Sequence, residues 1–258
     1  MAIHPSAVVD ATVHVPDSCT IGPFCLVGAG VEMGEHCELI SHVCLTGPTK
    51  MGSHNRFHPF AVIGAGPQDL TFKGEQTRLE IGDHNEIREY VTIHRGTIKG
   101  GGLTKLGSNC LIMAYAHIAH DCFIGDSVIM ANAATLAGHV IVEDFAGVGA
   151  LSPVHQYVRI GKHSYIGGGT VITQDVMPFA KTSSVREVHA YGANSVGLER
   201  RGFSKERVRA IQRAFRLLLA AKLNTTQALE RIEREVEQTE DVRQLVEFIR
   251  TSERGVLK

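Results

Sequence analysis

A six-residue repeat constrains this chain more than any other feature. Aliphatic residues recur at Ile3, Val9, Val15, Ile21, Val27, Met33, Leu39, Leu45, Met51, Phe57 and Ile63. The frame breaks, returns at Ile81, Ile87 and Ile93, breaks again, and then holds from Leu106 to Ile172. The next residue is often glycine, as at Gly22, Gly28, Gly34, Gly107, Gly125 and Gly161, and the fifth place is small, as at Ala7, Val13, Cys19 and Cys25. That period belongs to a hexapeptide parallel β-helix, in which three hexads close one triangular coil of about 18 residues. Each coil adds a rung of about 4.8 Å to three parallel sheets. The aliphatic residue points inward, the small fifth residue fills the corner beside it, and the glycine is expected to permit the tight turn. A narrow core leaves little room for large rings, and the 258 residues include no tryptophan.

Five of the six cysteines, Cys19, Cys25, Cys37, Cys110 and Cys122, fall at the fifth place; Cys44 does not. Their spacing suits neither zinc pairs nor a disulfide ladder, so they read as small buried thiols of a reducing compartment. The net charge of −1 gives no global signal for nucleic acid or an anionic membrane. No apolar run reaches the roughly 20 residues of a membrane span, and the start "MAIHPSAVVD" lacks the regions of a signal peptide. A cytoplasmic protein is expected.

Two stretches leave the frame, "GAGPQDLTFKGEQTR" at 64–78 and "GTIKGGGLT" at 96–104. A stacked solenoid extrudes such insertions as loops, where function concentrates. The glycine triplet Gly100 to Gly102 reads as a flexible hairpin. Pro178 breaks the repeat. The expected organisation is a β-helix over 1–178, a linker over 179–198 and a helical domain over 199–258. Ser204 is a plausible N-cap, and Val208, Ile211, Phe215 and Leu218 follow at helical spacing. Further amphipathic stretches lie around 226–237 and 240–252. The run Arg200, Arg201, Lys205, Arg207, Arg209, Arg213, Arg216 and Lys222 is opposed only by Glu206. It is either a solvated helix face or a surface for an anionic partner such as an acidic acyl carrier protein.

Within the repeat, "YAHIAHDC" at 115–122 stands out for its titratable groups. On a coil of about 18 residues, His120 lies below Gly138, Gly138 below Gln156, and Asp121 below His139. His117 is expected at a corner half a hexad earlier. None of these is an inward place, so they share one outer strip of the prism. Three readings follow. The strip is a polar surface; or His117, His120 and His139 hold zinc; or His120 is a general base, with Asp121 holding its tautomer and the Gly138 N–H facing an oxyanion.

The stretches "VTIHRGT" (91–97), "GGGLTK" (100–105), "AHIAHDC" (116–122), "ATLAGHV" (134–140), "VHQY" (154–157) and "RRGFS" (200–204) resemble the UDP-N-acetylglucosamine O-acyltransferases, which perform the first step of lipid A biosynthesis. The resemblance spans nearly the whole chain. It implies a left-handed coil, against the usual crossover preference, and transfer of a 3-hydroxyacyl group from acyl carrier protein to the sugar 3-hydroxyl. His120 would be the base, Asp121 its orienting carboxylate and Gly138 the oxyanion donor. Gln68, Asp69, His117, His139 and Gln156 would line the cleft for sugar and phosphopantetheine, and Asn194 and Arg200 would contact the nucleotide. A homotrimer with clefts between subunits is implied, and no metal or diffusible cofactor.

Departures from the family pattern touch the acceptor side. Thr71 replaces a cleft lysine, with Lys73 as a candidate substitute; Val196 replaces a glutamate; and "KTSSVREVHAYGAN" at 181–194 replaces the usual segment. Some family members prefer a 3-amino analogue of the sugar, so amide formation is an alternative, as is a non-catalytic hexapeptide scaffold. The N-acyltransferase of the same pathway carries an N-terminal uridine-binding domain, whereas the hexads here begin at Ile3. Gly168 occupies the place where relatives plug the acyl groove, which predicts a long acyl group.

Overall fold

The computed structural model describes residues 2–185, 187–220 and 223–257. Met1, Arg186, Ala221, Lys222 and Lys258 lie outside the described residues; Lys222 belongs to the basic run and Arg186 to the 181–194 segment.

Among the described residues, short strands, parallel apart from a final hairpin, stack into three sheets of eleven, eight and seven strands, the faces of a triangular prism. The inward aliphatic residues are in register from coil to coil: Ile21 pairs with Leu39, Leu39 with Phe57, and Ile118 with Leu136. Their side chains are fully buried, which supplies the apolar stabilisation that two-residue strands cannot supply alone. The inward register survives two insertions, the first entered through a bulge between Ile63 and Ala65. Ile63 pairs with Ile93 across the 64–78 loop, and Ile93 with Ile118 across the 96–104 loop. The chain is a left-handed parallel β-helix with a helical C-terminal part.

The glycines after the inward residue do not make the turn, except Gly64, whose φ is 77°. Positive φ falls instead on the fourth residue of each hexad, as at His36 (57°), Tyr90 (59°), Asp121 (60°) and His139 (63°). The second-place glycines answer a close approach. A side chain at Gly22 would clash with the Ile40 carbonyl oxygen of the next coil, and a Cβ at Gly34 would lie 2.6 Å from Ser53 Oγ. Fifth-place cysteines are buried free thiols, as expected, with Cys44 less so. Burial pushes the Cys122 thiol up to about 12, so it is a packing group and not a thiolate.

Residues 179–198 are more than a linker. Strands Ala180–Val185 and Glu187–Ala193 form an antiparallel hairpin that extends the first sheet by pairing Lys181 with Tyr165. Helix α1 (Ser195–Arg200) follows, capped by Asn194. Helices α2 (Lys205–Leu218), α3 (Thr225–Glu235) and α4 (Glu240–Thr251) then pack their apolar faces together, with Val208, Ile211, Phe215 and Leu218 buried and Ser204 capping α2. The tail returns to the last coil, where Asp175 accepts from Ser252 Oγ at 2.8 Å and its backbone bonds Gly255 and Leu257. Arg207 leaves the basic face to form a two-pronged ion pair with the buried Asp241, both bonds 2.8 Å. Lys205, Arg209, Arg213 and Arg216 remain exposed. No helix among the described residues is long and apolar enough to cross a membrane.

Candidate active site

One corner of the prism gathers the titratable strip. Asp121 takes the positive-φ place, which aspartate tolerates better than most residues. Its carboxylate does not face solvent as the outward register suggests. The residue is 2% exposed because the 96–104 loop folds over it. Thr97 donates to Asp121 twice, from its N–H to Oδ1 at 2.7 Å and from its hydroxyl to Oδ2 at 2.6 Å. The Asp121 N–H donates to Thr104 Oγ1 at 2.8 Å. Gly100 sits so close that a Cβ would fall on the carboxylate. The glycine stretch, read from sequence as a flexible hairpin, is therefore a fitted cover held by a Thr97-capped turn over Ile98–Gly100.

His120 Nδ1 lies 2.8 Å from Asp121 Oδ2. A buried carboxylate is an acceptor only, so Nδ1 carries the hydrogen and Nε2 keeps a lone pair for a proton. Gly138 stacks against this ring as the register predicts. A Cβ there would lie 2.5 Å from His120 Cε1, so only glycine leaves the imidazole its position. Among the described residues nothing accepts from the Gly138 N–H. His139 stacks on Tyr157 at 4.4 Å and stands edge-on to His120 at 5.3 Å, with Nε2 3.7 Å from Asp121 Oδ2.

His117 is not at a corner. It lies on strand His117–Ile118, where its Nδ1 is 2.6 Å from Thr92 Oγ1. The residues whose ligand atoms cluster within 4.8 Å are His120, Asp121 and His139, so the zinc set that needed His117 is not assembled. Burial lowers the pKa of His117 and of His139, and it drives His94, edge-on to His117 at 5.0 Å, down to about 4. These imidazoles are neutral at neutral pH.

Asp69 and Gln68 stand on the 64–78 loop. Asp69 accepts from the Thr71 N–H at 2.8 Å and hydroxyl at 2.9 Å, which holds its carboxyl below the usual range, aided by the charges of Lys99 and His120. Gln156 is exposed on the coil beyond Gly138. Asn194, Val196, Arg200 and Gly168 line an open groove of about 800 Å³ together with Arg201, Lys181, Ala131, Val148 and Ala150.

The model of domain 2 of UDP-N-acetylglucosamine O-acyltransferase matches residues 175–257. Over 256 residues, 99% of each chain, this chain is 46% identical to an acyl-[acyl-carrier-protein]–UDP-N-acetylglucosamine O-acyltransferase of Thermodesulfovibrio yellowstonii. The chain belongs to the UDP-N-acetylglucosamine O-acyltransferase family. Solved structures agree with this. A UDP-N-acetylglucosamine acyltransferase from Bacteroides fragilis superposes with a TM-score of 0.95 at 37% identity, covering 99% of this chain and 100% of its own. The Moraxella catarrhalis O-acyltransferase gives 0.94 at 41% identity, with full coverage of both chains.

Family resemblance and coil register both single out His120, Asp121, Gly138 and His139, and the structure brings these four together. Asp69 lies within charge range of His120 and His139, and Gln68 is exposed beside Asp69. Gln156 stands one coil beyond Gly138, and Asn194, Arg200 and Gly168 line the second groove. Thr97, Thr104 and His94 were missed by the sequence reading. Thr97 and Thr104 lie at the ends of an out-of-frame insertion, so no stacking rule pointed them at Asp121. His94 follows the inward Ile93 and pairs edge-on with His117 across the 96–104 insertion, which the repeat does not show.

Proposed function

We propose that the chain transfers a 3-hydroxyacyl group from acyl carrier protein to the 3-hydroxyl of UDP-N-acetylglucosamine. The observation that carries this reading is the His120–Asp121 pair facing an uncapped Gly138 N–H, in a chain 46% identical over its length to an enzyme named for that transfer. His120 Nε2 takes the proton of the sugar hydroxyl as its oxygen attacks the thioester carbonyl. Asp121 stabilises the imidazolium that forms. The Gly138 N–H donates to the oxyanion of the tetrahedral intermediate. Collapse breaks the carbon–sulfur bond, and His120 returns the proton to the departing thiolate.

Asn194 and Arg200 hold the nucleotide in the second groove, Arg200 as partner to the diphosphate. Gln68, Asp69, His117, His139 and Gln156 line the cleft between. Gly168 leaves the apolar side of the groove open to a long acyl chain, on the order of a dozen carbons. The exposed cations of α2 receive the acidic carrier protein. This reading carries with it a cytoplasmic homotrimer.

Purified protein is incubated with 3-hydroxymyristoyl carrier protein and a mixture of UDP-N-acetylglucosamine and its 3-amino analogue, beside His120→Ala, and products are weighed by mass spectrometry. Ester that disappears in the variant is the expected result. Amide alone would transfer the reading to the amino sugar and assign the change to Thr71 and Val196. No product from either acceptor would sink it.

A further inference from the structure

Position 71, where the family resemblance implies a lysine, holds threonine, and Lys73 does not stand in for it. Lys73 turns to its own loop, where its N–H donates to Glu75 and its charge acts on that carboxylate. The cation that reaches Thr71 comes from the other insertion. Lys99, in the turn that covers Asp121, donates from Nζ to Thr71 Oγ1 at 3.1 Å. Thr71 Oγ1 donates in turn to Asp69 Oδ1 at 2.9 Å, while the Thr71 N–H holds the same oxygen at 2.8 Å. A hydroxyl can donate once and accept at the same time, so Thr71 relays between ammonium and carboxylate.

We propose that Lys99 is a positioning residue for this reaction: through Thr71 it latches the 64–78 loop to the 96–104 loop and holds Asp69 beside His120. This rests on the proposed transfer. The two ends of the latch have different jobs. The 96–104 end is already fixed, because Thr97 is bonded to the buried Asp121. The 64–78 end carries Asp69 and Gln68 with few anchors of its own, and Leu70 is fully exposed. Lys99 thus lends the rigidity of the catalytic carboxylate to the loop that meets the substrate. The charge of Asp69 acts on both His120 and His139, so its placement affects the imidazolium that forms in the transition state. Lys99 brings a cation to the Asp69 carboxylate from the other loop.

Two readouts test this, one of them independent of turnover. Hydrogen exchange of the 64–78 peptide is followed by mass spectrometry in the full-length protein, and kcat and KM are measured with 3-hydroxyacyl carrier protein and UDP-N-acetylglucosamine. Lys99→Ala and Thr71→Val should each speed exchange of that peptide severalfold and lower kcat/KM about tenfold, the scale of one charge-assisted bond. The double variant should be no worse than either single one, as for residues acting in one chain of bonds. Lys99→Arg should retain most activity, and Thr71→Lys should restore Lys99→Ala. In an Asp69→Asn background Lys99→Ala should change kcat/KM less than twofold. If the wild type makes no product yet Lys99→Ala still loosens the loop, the transfer fails and the latch stands. Unchanged exchange in Lys99→Ala, additive losses, or failure of Thr71→Lys to rescue would overturn the latch.

Discussion

Two corners of the same prism use one backbone in opposite ways. At the first, the fourth-place residues His36, His54 and His84 stack at 4.7 and 4.5 Å. The third-place N–H beside each is capped by the next coil: Glu35 donates to Ser53, Ser53 to Asp83, Asp83 to Ser108, Ser108 to Asp126 and Asp126 to Asp144. At the other corner the fourth-place column is Asp121, His139 and Tyr157, and the third-place column is His120, Gly138 and Gln156. There no side chain caps Gly138. The structural corner consumes its donors internally, as buried polar groups must. The active corner leaves its third-place donors open among the described residues, with Gly138 directly against the ring of the base. In a repeat protein, function is a local failure to repeat.

Restoring a side chain to the active corner should have the largest effect. Gly138→Ala places a Cβ 2.5 Å from His120 Cε1. The ring must leave Asp121 or the backbone must shift, and the base and oxyanion donor are lost together. We expect kcat to fall about a thousandfold, roughly 4 kcal/mol, with the circular-dichroism spectrum unchanged. Gly28→Ala is the control, since a Cβ there meets only ordinary contacts at 3.7 Å, and it should keep nearly full activity. Equal losses in the two would show that Gly138 serves the fold alone.

The structural corner breaks instead with acid. His163 lies in it between Phe145 and Phe179, and burial drives its pKa from 6.5 to about 4. The unfolded imidazole binds its proton below about 6.5 and the native one only below about 4. Stability is therefore full above pH 6.5 and is lost as pH falls through that window, by on the order of 3 kcal/mol. His94, also held near 4, adds a loss of the same sign. Denaturant melts at pH 7.5 and 4.5 should show the combined slope. His163→Phe should remove the His163 share, because phenylalanine already occupies the same backbone conformation at Phe145 and Phe179. An unaltered slope would mean that His163 is solvated.

How far this contrast was legible in sequence depends on the period. Residues 18 apart stack, so His120 with Gly138 and Asp121 with His139 followed from counting, and so did every inward residue from Leu106 to Ile172. What counting could not reach was anything joined across an insertion. Thr92 pairs with His117, and Thr97 bonds Asp121, across the 96–104 loop. The burial of Asp121 was invisible for that reason. The misassigned role of glycine has another cause. Sequence shows where side chains are missing but not whether a positive φ or a neighbouring coil excludes them.

A third substitution converts one corner into the other. At the structural corner an aspartate one coil on accepts the third-place N–H, as Asp144 does for Asp126 at 2.8 Å. Gln156 holds that place above Gly138. Gln156→Asp should cap the open donor and reduce kcat about a hundredfold, roughly 2.7 kcal/mol. Gln156→Ala loses any contact of the amide but leaves the donor open, so it should reduce kcat about tenfold at most. Matching losses would deny the Gly138 N–H its role as oxyanion donor.

The smallest effect belongs to the remaining corner, where Phe60, Tyr90 and Tyr115 form an aromatic ladder. Tyr90 stacks on Phe60 at 5.0 Å and on Tyr115 at 4.8 Å, within 11° and 4° of parallel. Its edge is open, at 44% exposure in the single chain. Each ring pair contributes about 0.5–1.5 kcal/mol beyond simple burial. Tyr90→Ser should therefore cost about 2 kcal/mol in denaturant melts while kcat/KM stays within twofold, because no atom of the ladder touches Asp121 or His120. A loss near 5 kcal/mol that depends on protein concentration would mean that a second copy covers the ladder. A change in kcat/KM without loss of stability would join this corner to the chemistry and end its contrast with the active one.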